Sequence, residues 1–372
     1  MERLPTGAVI LIPSLEPDDR LPAYTQRLRE QGFDRIVIVD DGSSAAYQPI
    51  FERIEAMDGC TVLHHEVNRG KGCALKTGYA YIRDHMPDVT GVITADADGQ
   101  HTVEDCLKLA GALREEKKAL YLGSRDFNLP NIPPKSRFGN KTTSGVFWAL
   151  YGQWLPDTQT GLRAFRREEL DFMIGVPGDR FEYEMQVLIA CARASIPMIP
   201  LTIETVYENE NAGTHFHPIR DSWRIYKVIL GSFFKFMGAS IASFLIDQVV
   251  FWLMSHVLFP GDLLSHRLGF GLSRGGVILL STIVARLISA PCNFLMNRSF
   301  VFKFKANAKS AAVKYAILCV GIMLLSAGGV ALLERLGMPD SLDNLSKLII
   351  DTLLYFLSFR VQNKWVFKEE TT

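Results

Sequence analysis

Two short acidic runs carry the clearest chemistry in the chain: Asp40–Asp41 in VDDGSS (39–44), and Asp96 with Asp98 in ITADADGQH (93–101). Adjacent carboxylates beside small turn residues accept hydrogen bonds from ring N–H and hydroxyl groups. That suits a nucleoside, although Asp-Asp-Gly is also an ordinary turn. Two aspartates two residues apart can point into one site and hold a divalent cation against a diphosphate, with Gln100 or His101 completing the set. In NRGKGCALKTG (68–78) Leu75 stands where a phosphate loop of the Walker type needs glycine before Lys76. The glycine-rich turn into a helix still offers backbone N–H groups to phosphate oxygens, with Arg69 or Lys71 adding charge. GSRDF (123–127), KSRFGN (135–140) and DTQTGLRAFRR (157–167) gather Arg and Lys among glycines and hydroxyls, as a pocket for a second phosphate would.

These groups need elements to position them. Residues 8–12 (AVILI), 35–39 (RIVIV), 61–64 and 90–94 (TGVIT) read as short strands, and 18–32 has helical spacing between the first two. Such alternation predicts an α/β domain with a parallel, doubly wound sheet. Ligands of such sheets bind beyond the carboxyl ends of the strands, where both acidic runs fall.

The length of 372 residues suits two domains. Equal numbers of basic and acidic residues, 40 each, exclude a nucleic-acid binder that works by bulk charge. A hydrophobic share of 48% excludes a disordered chain. The six cysteines are scattered without metal-ligand spacing, as in a reducing compartment. The amino terminus has no apolar stretch of the signal-peptide kind, so the first domain is expected in the cytosol.

Beyond residue 233 the character changes. Residues 233–259, 276–296, 311–333 and 348–367 read as four helices, each long enough to cross about 30 Å of hydrocarbon. The fourth is weaker, being interrupted by Asp351 and Arg360. The connection 298–314 is basic with no acid, and the positive-inside rule then places it, both termini and the first domain in the cytosol. Residues 219–234 set Trp223, Tyr226, Leu230 and Phe233 on one helical face and Arg220, Arg224 and Lys227 on another, the pattern of an interfacial helix. Asp247, Arg286 and Asp351 fall at similar depth inside the spans and are expected to neutralise one another. A shift of 65 residues lays NRSFVFK (297–303) on QNKWVFK (362–368), which suggests two helix hairpins related as parallel repeats.

In order along the chain, VDDGSS, NRGKG, DADGQ, GSR and DTQTGLR resemble the family 2 glycosyltransferases of GT-A fold, within the polyprenyl-phosphate branch. That branch includes dolichyl-phosphate mannose synthases and bacterial bactoprenol glucosyltransferases. Residues 233–367 resemble the four-helix GtrA-type membrane domain. The resemblance implies three parts: a catalytic domain (1–218), an amphipathic interfacial helix (219–234) and an all-α membrane domain with four transmembrane helices (235–372). It implies that Asp40 and Asp41 hold the base and ribose, with Pro13 and Glu16 lining the same pocket. Asp96 and Asp98 become a metal-binding pair for Mg2+ or Mn2+, with Asp98 on the metal and Gln100 a further ligand. Arg125, Arg137 and Ser136 are implied to face the lipid phosphate. Arg360, nearer the cytosol than the other intramembrane charges, is expected to snorkel or to grip that phosphate. One departure from the mannose-synthase pattern is an arginine missing near Ile132 and Pro133, and the stretch 207–226 is more like the glucosyltransferase branch.

The expected reaction is an inverting hexose transfer from a nucleoside diphosphate sugar, UDP-glucose-like, to polyprenyl phosphate at the bilayer. The acceptor monoester has a second pKa of about 6 and needs no strong base. Glu182 and Glu184 in RFEYE would orient sugar hydroxyls or simply favour a helix start. A GDP-mannose-dependent synthase and a lipid-linked-sugar flippase with an accessory transferase are the alternatives. No nucleic-acid partner is expected, and self-association into a homo-oligomer is left open.

Overall fold

The computed structural model describes residues 7–129, 132, 134–204, 218–258, 274–304, 306–335 and 343–368. The chain forms two compact units, Met1–Ile229 and Leu230–Thr372. The expectations that rested on Pro133 and on residues 205–217 lie outside the described residues, as do those on the side chains of Arg220 and Arg224.

The first unit contains seven strands: β1 (Ala8–Ser14), β2 (Ile36–Asp40), β3 (Cys60–His64), β4 (Gly91–Thr94), β5 (Leu120–Arg125), β6 (Arg163–Arg166) and β7 (Met198–Ile203). They form one sheet in the order β3-β2-β1-β4-β6-β5-β7. Its helices are α1 (Arg20–Glu30), α2 (Gln48–Glu55), α3 (Lys71–His85), α4 (Val103–Leu113), α5 (Pro134–Tyr151), α6 (Leu170–Gly175) and α7 (Glu182–Ala194). Every residue of β1 and β2 is buried, which is why these strands read as unbroken apolar runs. The chain winds outward from β1 through β2 to β3, then returns to place β4 on the other side of β1. The crevice at this reversal opens between the ends of β1 and β4.

The four expected strands pair in parallel, and the sheet adds β6, which runs antiparallel to both β4 and β5. The four residues RAFR are too short to show a strand period. The reversal matters for the site: Arg163, where β6 begins, pairs with Thr94, where β4 ends. The segment 157–162 just before it is therefore delivered to the carboxyl rim of the sheet.

A continuous helix α8 (Pro218–Trp252) contains the expected interfacial segment and most of the first span, which a π-helical turn, Leu253–Leu258, carries on, and the boundary between the units falls inside α8. Helices Arg274–Met296, Ala308–Arg335 and Asp343–Val361 follow. Among the described residues three stretches are long and apolar enough to cross a membrane, Ile225–Val257, Ile278–Val301 and Ala308–Leu333. Large apolar side chains such as Val249, Leu287 and Leu324 point outward along them, as in a helix solvated by lipid. The fourth expected span is a helix, but Lys347, Asp351 and Arg360 keep it below that apolarity.

The expected meeting of Asp247, Arg286 and Asp351 is corrected in part. Arg286 Nε lies 3.6 Å from Asp247 Oδ1, which also accepts from Ser289 Oγ at 2.9 Å. Asp351 instead pairs with Lys347 at 3.2 Å, one helical turn away, and accepts from Ser326. Each carboxylate is satisfied locally, so a three-way cluster is not needed. Arg286→Leu should therefore lower the thermal midpoint of the detergent-solubilised chain. Adding Asp247→Leu should recover most of the loss, because both charges leave together. Adding Asp351→Leu instead should recover none, and a recovery there would contradict this pairing.

Candidate active site

Asp40 closes β2 and is fully buried, with its carboxylate spent on the protein itself. Oδ1 accepts from the Ser43 N–H at 2.8 Å, and Oδ2 accepts from Gln48 at 3.3 Å and faces His64 Nδ1 at 3.0 Å. These bonds outweigh the cost of burial and hold its carboxyl below the usual range. Asp41 is buried too and clamps the glycine-rich loop: it accepts from the N–H of Arg69 at 3.0 Å and of Gly70 at 2.7 Å, and meets His65 Nδ1 at 2.7 Å. His65 is in turn fixed by Thr77 at 2.9 Å. Pro13 is buried beside Val39, and the exposed Glu16 reaches the rim, where its N–H donates to Ser43 Oγ at 2.8 Å.

The expected phosphate cradle of backbone N–H groups is narrowed by the same contacts. The N–H groups of Arg69 and Gly70 go to Asp41, and that of Cys73 goes to the Asp179 carbonyl at 2.9 Å. Arg69 is exposed at the tip of the loop.

The second acidic run holds the centre of the site. Asp96 follows β4, and its Oδ1 lies 2.7 Å from Lys71 Nζ at the start of α3. The same ammonium reaches Glu184 Oε1 in the first turn of α7 at 3.0 Å, and His101 Nε2 lies 3.4 Å from Asp96 Oδ2. The charge of Lys71 pulls the Asp96 carboxyl far below its usual value, and the two carboxylates push the lysine above its own. Gly161 permits this arrangement, because a Cβ there would sit 2.3 Å from Asp96 Oδ2. Thr94 fixes that glycine by donating to its carbonyl at 2.7 Å. Asp98 is half-buried and accepts from the Gln100 N–H at 3.1 Å. Burial and the neighbouring Asp96 charge raise its pKa. It is a carboxylate in want of positive charge.

The expected basic pocket divides. Arg125, at the end of β5, is held by the fully buried Asp157 through Nε at 2.7 Å and Nη2 at 3.3 Å, and its guanidinium lies 5.2 Å from the Phe127 ring centre. The ion pair secures the 157–161 loop and leaves the guanidinium partly exposed at the rim. Arg137 and Ser136 lie in the first turn of α5, where Arg137 donates to the Leu129 carbonyl at 2.8 Å. Arg163 joins the loop to α7, donating to the Thr160 carbonyl at 2.9 Å and the Glu184 carbonyl at 2.7 Å. Arg360 belongs to the second unit.

The structure thus gathers Lys71, Asp96, Asp98 and Gln100 with two residues the sequence left ambiguous, Glu184 and His101. The carboxylates of Glu184 and Asp157 are contacts between distant elements, which no local spacing announces. Among the described residues there is no cluster of three or more His, Cys, Asp or Glu side chains placed to hold a metal by themselves.

Residues 9–172 match the family described as glycosyl transferase family 2, and residues 272–367 match the GtrA/DPMS transmembrane domain. The UDP-N-acetylglucosamine–dolichyl-phosphate N-acetylglucosaminyltransferase of Methanococcus voltae is 27% identical over 215 residues, 53% of this chain and 85% of that protein. Glycosyltransferase AglJ of Haloferax volcanii is 25% identical over 225 residues, 60% of this chain and 70% of that one. An uncharacterized protein of Methanocaldococcus jannaschii is 29% identical over 229 residues, 60% of this chain and 92% of the relative. The match to a crystal structure of Mycobacterium tuberculosis glucosyl-3-phosphoglycerate synthase with Mn2+, UDP and glucosyl-3-phosphoglycerate covers 60% of this chain and 78% of that one, at 16% identity and a TM-score of 0.45.

The charge arrangement predicts opposite effects of two neutralising substitutions, read as thermal midpoints in chelator at neutral pH. Asp96 is depressed and Lys71 raised, so their mutual stabilisation is fully present between their ordinary values of 3.8 and 10.5 and is lost beyond the shifted ones. Lys71→Met should lower the midpoint, because it strands two carboxylates. Asp98 is raised, so its ionised form is a burden above pH 3.8 and none below it. Asp98→Asn should therefore raise the midpoint at neutral pH, with the gain vanishing in acid.

Proposed function

We propose that this glycosyltransferase, whose residues 9–172 match the family 2 glycosyl transferases and 272–367 the GtrA/DPMS transmembrane domain, moves a sugar from a nucleoside diphosphate to polyprenyl phosphate at the membrane surface. The observation that carries this reading is the placing of Asp98, two residues after Asp96, at the carboxyl rim of the sheet that holds the Lys71–Asp96–Glu184 cluster. The M. voltae relative is named for a UDP-sugar donor and a dolichyl phosphate acceptor, which supports a UDP-sugar and a polyprenyl chain here.

The donor set of Asp98, Asp96 and the Gln100 amide consists of hard oxygens, which fits Mg2+ or Mn2+. Bound there, the cation would neutralise the diphosphate leaving group. Lys71 and Arg69 supply fixed positive charge on the same side. Asp40 and Asp41 act on the nucleoside by shaping the two loops that enclose it, with Pro13 and Glu16 on the first of them. Glu184 is held by Lys71 and bonds sugar hydroxyls with its remaining acceptor capacity.

Arg137 and Ser136 receive the acceptor phosphate, whose oxygen is already anionic at neutral pH. A single displacement at the anomeric carbon inverts its configuration and needs no general base. Arg360 and the basic 298–314 connection fit a cytosolic face rich in anionic lipid, where the catalytic domain would lie.

The full chain in detergent, given polyprenyl phosphate and UDP-glucose, UDP-N-acetylglucosamine or GDP-mannose, should glycosylate the lipid with a UDP-sugar and stop in EDTA. Transfer with GDP-mannose alone would reassign the donor, and no lipid product from any donor would overturn the reading. Asp98→Asn should lose transfer by about 100-fold or more, since even the loss of outer partners at metal sites costs about 10–100-fold. Gly161→Ala, which crowds Asp96, should lose nearly as much and should also lower the thermal midpoint, because the carboxylate it displaces is paired with Lys71.

A further inference from the structure

The second unit contains a set of contacts that only a two-fold relation explains. Asn297 Nδ2 donates to Gln362 Oε1 at 3.1 Å, and these residues are 65 positions apart. Phe302 and Phe367, at the same separation, stack with ring centres 5.0 Å apart. Phe294 and Phe359 are equivalent by the same shift, and they form reciprocal pairs: Phe294 with Phe367 at 5.8 Å, and Phe359 with Phe302 at 5.9 Å. A residue that meets its own counterpart lies on a two-fold axis, and exchanged pairs flank it. The backbone agrees, because the Phe302 N–H bonds the Asn297 carbonyl and the Phe367 N–H bonds the Gln362 carbonyl, both across five residues and both at 2.9 Å.

The first helix of each hairpin obeys the same operation. Phe236 packs on Phe359 at 5.3 Å, and Tyr315 packs on Phe294 at 5.4 Å, so each crosses to the other hairpin. Asp247 and Ser326 are separated by the same number of residues as Phe236 and Tyr315. Their partners Arg286 and Asp351 are again one repeat apart. A polar pair thus recurs in the two halves at matching positions.

The geometry points to a fused dimer: two copies of one helix-hairpin module that bind each other through a single homotypic surface, with the Asn297–Gln362 amide pair on the axis as the lock of register. The partner this surface fits is another hairpin of the same kind, and here the chain supplies it itself. Asn297 and Gln362 are almost wholly buried, and each amide also bonds the residue one turn before it, Asn293 and Ser358. A polar pair in an apolar seam fixes which positions face each other, because any slip leaves two amides unpaired.

The test exchanges the two sides. In the full detergent-solubilised chain, Asn297→Leu and Gln362→Leu should each lower the thermal midpoint by about 5 °C or more. The exchanged double variant Asn297→Gln with Gln362→Asn should stay close to the parent, because a two-fold surface reads the same from both sides. An exchanged variant as damaged as the leucine variants would overturn the equivalence, and silent leucine variants would overturn the lock. As a readout independent of the amides, Phe302→Cys with Phe367→Cys, in a chain whose six cysteines are replaced, should be cross-linked within one chain by a short bismaleimide. Cross-linking only between chains, or none, would count against the axis.

Discussion

The ammonium of Lys71 is the interaction on which the catalytic unit depends. It opens α3, lies 2.7 Å from Asp96 after β4, and reaches Glu184 on α7 at 3.0 Å. Three elements that share no sequence neighbourhood meet at one charge. None of the three groups is well solvated, so each needs the others: a carboxylate stranded beside Asp98 would be repelled, and a stranded lysine would have to give up its proton. The site is rigid because its charges have few other ways to be satisfied.

The loops around that charge are fixed by the same economy of hydrogen bonds. Asp40 and Asp41 follow each other in sequence yet serve different loops, Asp40 holding Ser43 and Gln48, Asp41 holding Arg69 and Gly70. The antiparallel course of β6 brings Asp157 and Gly161 to the rim, where one anchors Arg125 and the other leaves space for Asp96. Asp96 and Asp98 stand at the rim, and the buried carboxylates of Asp40, Asp41 and Asp157 hold the backbone around them.

The membrane unit solves a different problem. Lipid gives apolar helices no preference for one partner over another, so recognition falls to aromatic stacking and a few polar pairs. Phe294, Phe302, Phe359 and Phe367 supply the stacking, and Asn297 with Gln362 supplies the polar pair. Two charged residues further along the helices, Asp247 and Asp351, are each paired within their own hairpin.

The fold class, the position of Asp96 and Asp98 at a strand end, and the division into a catalytic and a membrane half were legible from the sequence alone. Each is a local matter: apolar period sets the element, and glycine with aspartate marks where a strand stops. The repeat was legible too, because NRSFVFK and QNKWVFK kept their aromatic positions. The direction of β6 was not legible, nor the partner of Lys71, the ion pair of Arg125 with Asp157, or the pairing of Arg286 with Asp247 rather than Asp351. These are settled by which distant groups arrive at the same place. A charge in low dielectric takes whichever opposite charge the packing delivers, and spacing along the chain does not encode that delivery.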